Sequence, residues 1–338
     1  RLRLHKKYCM LFRRANILII AVSLSALFHR TYGQELFILN EPASSVPKGV
    51  LGIRLYSHHY KEYSTNRTLG ALRVMYGVTS KLSLLATASI SNHHARKLPK
   101  DLINHSHVGN QTNYYTQPIK RGVDYPYLFN GVNVFAKYRF LTRDEQYKHL
   151  RLAAYGEWSN SKVAHDEAEP NLMDDNGGYG FGIISTWLKN RLALSLTAGF
   201  INPNSYSEMQ RDITGGPDLP TTIEYGKAIK YNVSFGYRLY PKKYEEGYHQ
   251  VNWNVYVELT GKSYGAATVI QNGTEIKART SALGSGTYIE INPGIQRIIN
   301  SNTRLEFAYG FSLIGTSFAH FTPAWTLAVQ RYFYRNPK

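Results

Sequence analysis

The sequence predicts an all-β protein, a transmembrane antiparallel up-and-down β-barrel of about twelve strands with short turns at one end and long loops at the other. Three observations predict it. Segments of roughly 9–12 residues, about what a tilted strand needs to cross a bilayer, alternate apolar and polar side chains. The connections between them alternate in length. Aromatic residues, 13% of the chain and including 27 Tyr, fall near the segment ends, where an aromatic girdle would lie.

One hairpin sets the pattern. In Ile229–Tyr240, Ile229, Tyr231, Val233, Phe235, Tyr237 and Leu239 share one face, and Lys230, Asn232, Ser234, Gly236, Arg238 and Tyr240 the other. In 251–259, Val251, Trp253, Val255, Val257 and Leu259 oppose Asn252, Asn254, Tyr256 and Glu258. A period of two gives each strand one lipid face and one lumen face. The mean hydropathy of −0.36 fits such a barrel, whose lumen face and loops are polar. A soluble sandwich or lipocalin-like barrel is the competing fold, with shorter strands and a buried apolar face.

In chain order, the first element is a leader. Arg13 and Arg14 precede the apolar run Ile17–Phe28, and Thr31-Tyr32-Gly33 follows it. A basic region, an apolar core and small residues make a secretory signal over 1–33, cut at Gly33/Gln34. Met10 offers an alternative start. The leader holds the lone cysteine, Cys9, so the mature chain is expected to carry no disulfide and no thiolate metal site. Residues 34–48 hold two prolines and no clear period, and are read as a periplasmic lead-in. The barrel then occupies 49–338, with strands expected at about 50–60, 67–77, 81–91, 127–140, 148–160, 178–188, 190–201, 226–240, 249–262, 286–299, 303–315 and 322–334. Short connections fall at 77–81, 141–147, 188–191, 241–248 and 300–303, and longer ones at 61–66, 92–126, 161–177, 202–225, 263–285 and 316–321. Greek-key sandwiches have no reason to alternate in this way.

The leader before Gln34-Glu35, then Glu41-Pro42-Ala43-Ser44, Tyr76-Gly77-Val78-Thr79-Ser80-Lys81-Leu82 and Ala136-Lys137-Tyr138-Arg139-Phe140-Leu141, resemble porin-like, uncharacterised outer-membrane β-barrel proteins of Bacteroidota. The resemblance covers the mature chain and implies location in the outer membrane of a Gram-negative cell. It names no reaction.

Three groups of residues are candidates for function. Inward cations are expected at Arg54, Arg73, Lys137, Arg139, Arg151, Lys230, Arg238, Lys262 and Arg304, with inward acids at Glu157, Glu258, Glu290 and Glu306. Segregated charge in a lumen selects solutes. Paired charges in the modest bore of twelve strands would instead fill it. Histidines cluster in or beside the first two long loops, and His58, His93, His94, His105 and His107 are candidate metal ligands, with Asp101 near them. Neighbouring His58 and His59 point to opposite faces. Gly178, Gly180 and Gly182 share one face and predict a smooth lumen stripe where another group approaches the backbone; the context for a dinucleotide loop is missing. Asp166-Glu167 and Asp174-Asp175 are loop acids without a calcium-loop frame.

The net charge of +17 is read as basic loops meeting an anionic cell surface, because no nucleic-acid-binding motif accompanies it. The expected partners are outer-membrane lipid and lipopolysaccharide, a small polar solute and a protein partner, with no nucleic acid. No cofactor is expected. Neither Gly-x-Ser-x-Gly nor His-Glu-x-x-His occurs, and no enzyme activity is expected. The expected function is a narrow porin-like channel for small polar or anionic solutes. The rival readings are a closed structural or binding barrel that acts through loops 92–126 and 202–225, and surface metal capture by the histidine loops.

Overall fold

The structure, a computed structural model, describes residues 37–62, 65–94, 96–98, 125–145, 147–212, 216–242, 251–277 and 281–334. The expected leader with its cut at Gly33/Gln34, Asp101, His105 and His107 lie outside the described residues.

The strands are β1 (Leu51–Glu62), β2 (Thr65–Gly77), β3 (Leu82–Ser91), β4 (Leu128–Asp144), β5 (Lys148–Lys162), β6 (Asn176–Lys189), β7 (Leu192–Pro203), β8 (Tyr206–Arg211), β9 (Asp218–Glu224), β10 (Ala228–Tyr240), β11 (Asn252–Tyr264), β12 (Thr268–Gln271), β13 (Thr274–Ile276), β14 (Gly286–Ile299), β15 (Thr303–Ile314) and β16 (Ala324–Phe333). Twelve of them close a barrel in the order β1-β16-β15-β14-β11-β10-β7-β6-β5-β4-β3-β2. Every neighbouring pair is antiparallel, and β1 meets β16 from Leu51↔Phe333 to Tyr60↔Ala324 to complete the ring. Closure leaves no barrel edge unpaired, which a lipid environment requires.

The predicted alternation is realised in most strands; at the end of β10 a register shift between Arg238 and Tyr240 leaves Tyr240, expected inward, exposed. Along β16 the burial pattern is strictly buried, exposed, buried, exposed, with Trp325, Leu327 and Val329 outside and Thr326, Ala328 and Gln330 inside. The outer belt is apolar, and includes Leu55, Phe129, Ile183 and Ile229, each more than half exposed. Tyr138, Tyr237, Trp253 and Phe333 ring the end with short turns, and Trp158, Tyr179 and Trp325 ring the other. Arg297 and Arg331 also face outward, close to the turn end, over the rings of Trp253 and Phe333. There the stems lie along apolar surface and the charged heads reach polar surroundings.

Tight turns form where residues tolerate a left-handed backbone. Asn190 (φ 55) turns β6 into β7, and Asn300 and Ser301 (φ 49 and 56) turn β14 into β15; Asn is among the few non-glycine residues that visit this region readily. The connection between β1 and β2, expected among the longer ones, spans only 63–64.

Two of the expected loops are themselves structured. The 202–225 and 263–285 connections contain the hairpins β8-β9 and β12-β13, which pair through β9 and β12 into a four-stranded sheet of order β13-β12-β9-β8. This sheet has its own apolar core of Ile223, Tyr225, Val269 and Leu283, joined by Leu98 and Ala164 from other loops. It forms a cap at the loop end.

Candidate functional site

The lumen is crossed by chain at both ends. At the turn end, residues 37–48 run through the barrel as a strap; the sequence placed them only as a lead-in. Their partners are inward side chains of eight strands. Glu258 on β11 accepts backbone N–H groups from Ile38, Leu39 and Asn40 at 2.8, 2.9 and 3.0 Å. Asn40 Nδ2 donates to Ser234 on β10 at 2.7 Å. Ala43 N donates to Thr186 on β6, and Val46 N to Ser83 on β3, both at 2.8 Å. Arg151 on β5 donates to Ser44 Oγ at 3.0 Å. Arg54 on β1 donates to Ile38 O at 2.6 Å.

The strap carries one acid, Glu41, which meets Arg73 on β2 at 2.6 Å and Lys137 on β4 at 3.4 Å. Lys137 also donates to Pro42 O at 2.6 Å. Burial alone would raise the pKa of Glu41, but Lys137, Arg73 and Arg54 hold its carboxyl below the usual range.

Apolar contacts complete the seat. Phe37 and Ile38 pack with Ala193, Tyr256 and Ala308. Ala43 packs with Ala153, Tyr155 and Ile184. Val46 and Val50 pack with Met75, Leu85 and Tyr332. Each buried side chain of this size contributes about 1.5–3 kcal/mol.

At the loop end, the β5–β6 connection folds inward, with Val163–Pro170 buried throughout. Leu172 O accepts from Asn133 on β4 at 3.2 Å, and Met173 O from Ser89 on β3 at 2.9 Å. Glu169 and Pro170 O meet Lys262 on β11 at 2.6 and 3.0 Å. β3 and β11 stand on opposite sides of the ring, so this loop also spans the bore. Glu169 further accepts from Ser317 Oγ and from the backbone N of Phe318 and Ala319 at 2.8, 2.8 and 3.3 Å. Burial opposes its ionisation, yet Lys262 and His320 bring its pKa down to about 2.

The charged lumen residues expected from the sequence are thereby all accounted for. Arg54 pairs with Glu306 at 2.9 Å as well as with the strap. Arg151 pairs with Asp144 at 2.8 Å. Lys230 pairs with Glu157 at 2.8 Å, and Glu290 with His320 at 2.9 Å. Arg139 caps Ser80 O near the turn end at 2.8 Å. Arg304 lies over the Tyr332 ring, and Arg238 is buried. The glycine stripe on β6 has the anticipated cause: a Cβ at Gly180 would come 2.8 Å from Glu157 Oε1, and one at Gly182 would come 2.8 Å from Tyr155 Cε1.

The histidines divide. His58 faces inward, bonds to Thr326 Oγ1 at 2.8 Å and packs edge-on against His320. His59 faces outward and stacks on Trp325. His93 and His94 leave β3 and turn inward to Asp175, at the end of the inward loop, with His94 Nε2 2.7 Å from Asp175 Oδ1. His58 therefore does not join His93 and His94. Burial pushes Asp175 up to about 7, against the pull of His165 and Lys262. Glu167 is pushed well above the carboxylate range, by burial first and then by Asp166 and Asp175.

Sequence reasoning missed Glu41, Glu169, Thr186 and Ser83 as site residues. A signal was present: Met75, Leu85 and Ile184 occupy inward positions, where a wet lumen would not place them.

Comparison with solved structures gives an outer membrane channel from Pseudomonas putida F1, 10% identical, with a TM-score of 0.51, covering 88% of this chain and 100% of that one. The NanC porin is 9% identical over 84% of this chain and 99% of its own, with a TM-score of 0.41. The β domain of the Bordetella autotransporter BrkA is 12% identical over 85% of this chain and 100% of its own, also at 0.41. The first of these supports the barrel fold. No family model matches the chain, and no curated protein matches it.

Proposed function

We propose that this chain is an outer-membrane channel for small polar or anionic solutes that its own N-terminal strap holds closed at the turn end. The observation that carries the reading is the engagement of the inward cations Arg54, Arg73, Lys137 and Arg151 by residues 38–44. Once the strap leaves, Arg73 and Lys137 lose their carboxylate partner Glu41 and add positive charge to the bore, as anion-selective pores use, while Arg54 and Arg151 keep Glu306 and Asp144. With the leader cut at Gly33/Gln34, the strap becomes an arm tethered only through β1. It can leave without breaking a barrel strand pair.

Planar-bilayer recording tests this. The full chain is expected to conduct little, and a variant lacking 37–48 to conduct with anion preference. A folded deletion variant that stays silent overturns the reading. A second reading, a closed scaffold that binds a protein partner, is favoured by the four-stranded cap, whose outer strands β8 and β13 each pair on one side only among the described residues. Retention of a stoichiometric partner by the cap, together with a silent deletion variant, would select it.

A further inference from the structure

We propose that His93, His94 and Asp175 bind one divalent transition-metal ion of the Zn²⁺ class, tying the loop after β3 to the inward loop between β5 and β6. Each of the three offers a ligand atom, and these atoms lie within 4.8 Å of one another. Four-coordinate Zn²⁺ with N and O ligands at 2.0–2.2 Å sets its donors about 3.3 Å apart, so no separation among the three has to close by more than about 1.5 Å. Two imidazoles and a carboxylate suit Zn²⁺, Cu²⁺ or Ni²⁺ far better than Ca²⁺ or Mg²⁺.

Three further observations support a built site. All three residues are buried, at 5%, 7% and 1% exposure. Asp175 is fixed from behind: Ser161 Oγ donates to its backbone carbonyl at 3.0 Å and Val163 N does so at 3.4 Å. Its carboxylate bonds through Oδ1 to His94, while the buried Oδ2 has no hydrogen-bond partner among the described residues. A buried carboxylate oxygen without a donor is costly, and a bound cation satisfies it. Glu167 Oε1 lies 4.0 Å from His93 Nε2, beside the three ligands. The rings are seated as well. Tyr60 packs edge-on against His93, and the His93 and His94 rings are 4.0 Å apart. The site does not depend on the conduction reading, because it concerns only how two loops are joined.

The test uses the full chain refolded in detergent, stripped with EDTA and titrated calorimetrically with Zn²⁺ alone. One Zn²⁺ per chain is expected. His94→Ala and Asp175→Asn should each bind more than about 100-fold more weakly, since loss of an outer-shell partner alone costs about 10–100-fold. His149→Ala, at the opposite end of the barrel, should bind as the parent does. Folding of each variant is checked by far-UV circular dichroism. Should a variant misfold, the visible spectrum of Co²⁺ bound to the parent decides: intense four-coordinate bands support the site, and a six-coordinate or absent spectrum overturns it. A parent that takes up no Zn²⁺, or folded variants that bind like the parent, leaves a plain His94–Asp175 ion pair and overturns the proposal. So does binding that disappears with His105 and His107 rather than with His94.

Discussion

The two ends of the bore are closed by different means. At the turn end, the strap brings one charge, Glu41, but presents mostly main-chain groups to charges fixed on the wall: Glu258 gathers three N–H groups, and Arg54 and Lys137 each donate to a carbonyl. At the loop end, the inward segment brings its own charge, Glu169, to one wall cation and to a neighbouring loop. With the leader cut proposed at Gly33/Gln34, the first is an arm held by the chain at one end; the second is a loop tied at both. Main-chain recognition depends on conformation, so one lost wall carboxylate loosens a whole stretch. A buried ion pair concentrates its energy in two side chains, while the covalent ties stay in place. Stability and permeability should therefore respond in opposite order at the two ends.

The largest stability effect is expected from Glu169→Ala, which strands the Lys262 ammonium in a mostly buried setting. Breaking such a pair costs about 3–5 kcal/mol, read from urea unfolding of the refolded protein. Conductance should rise little, because 163–175 remains anchored on both sides. A loss under about 1 kcal/mol would show that the loop end does not lean on this pair.

Glu258→Ala comes next. Three buried N–H groups lose their acceptor, with a cost of about 2–3 kcal/mol after water reaches some of them. In planar bilayers this variant should conduct more than Glu169→Ala despite its smaller loss of stability. Equal conductance in the two variants would erase the distinction between arm and loop.

The smallest effect is a pH dependence at His320, which faces Glu290, Glu169, Lys262 and His58. Burial disfavours its charge, but Glu290 raises its pKa from 6.5 to about 8. A raised folded pKa stabilises below the unfolded value and loses that stabilisation as pH climbs through the folded one. From pH 6 to pH 9 the parent should lose about 2 kcal/mol more than His320→Gln, compared by urea unfolding at both pH values. Parallel curves for the two proteins would remove His320 from the loop-end network.

The barrel was legible because its strands obey two solvents at once. In β10, Phe235 and Tyr237 face lipid while Ser234 and Arg238 face inward, and that alternation is written residue by residue. The strap was not legible, because its contacts are set by distant side chains on eight strands rather than by a local period. β8, β9, β12 and β13 run for only three to seven residues and stabilise one another through pairs of connections far apart in sequence. His93 and His94 stood out in the sequence, and Asp175 stood out as a loop acid. Only the inward fold of the loop, across 81 positions of chain, joins them.

The seam of the ring carries a consequence for biogenesis. β1, the strand that continues directly from the strap, pairs with β16, the latest of the described strands in chain order. The strap is thus enclosed by a ring that closes only where β16 meets β1. During insertion, either the arm is laid across the half-built wall before the two ends zip together, or it must thread a finished tube afterwards.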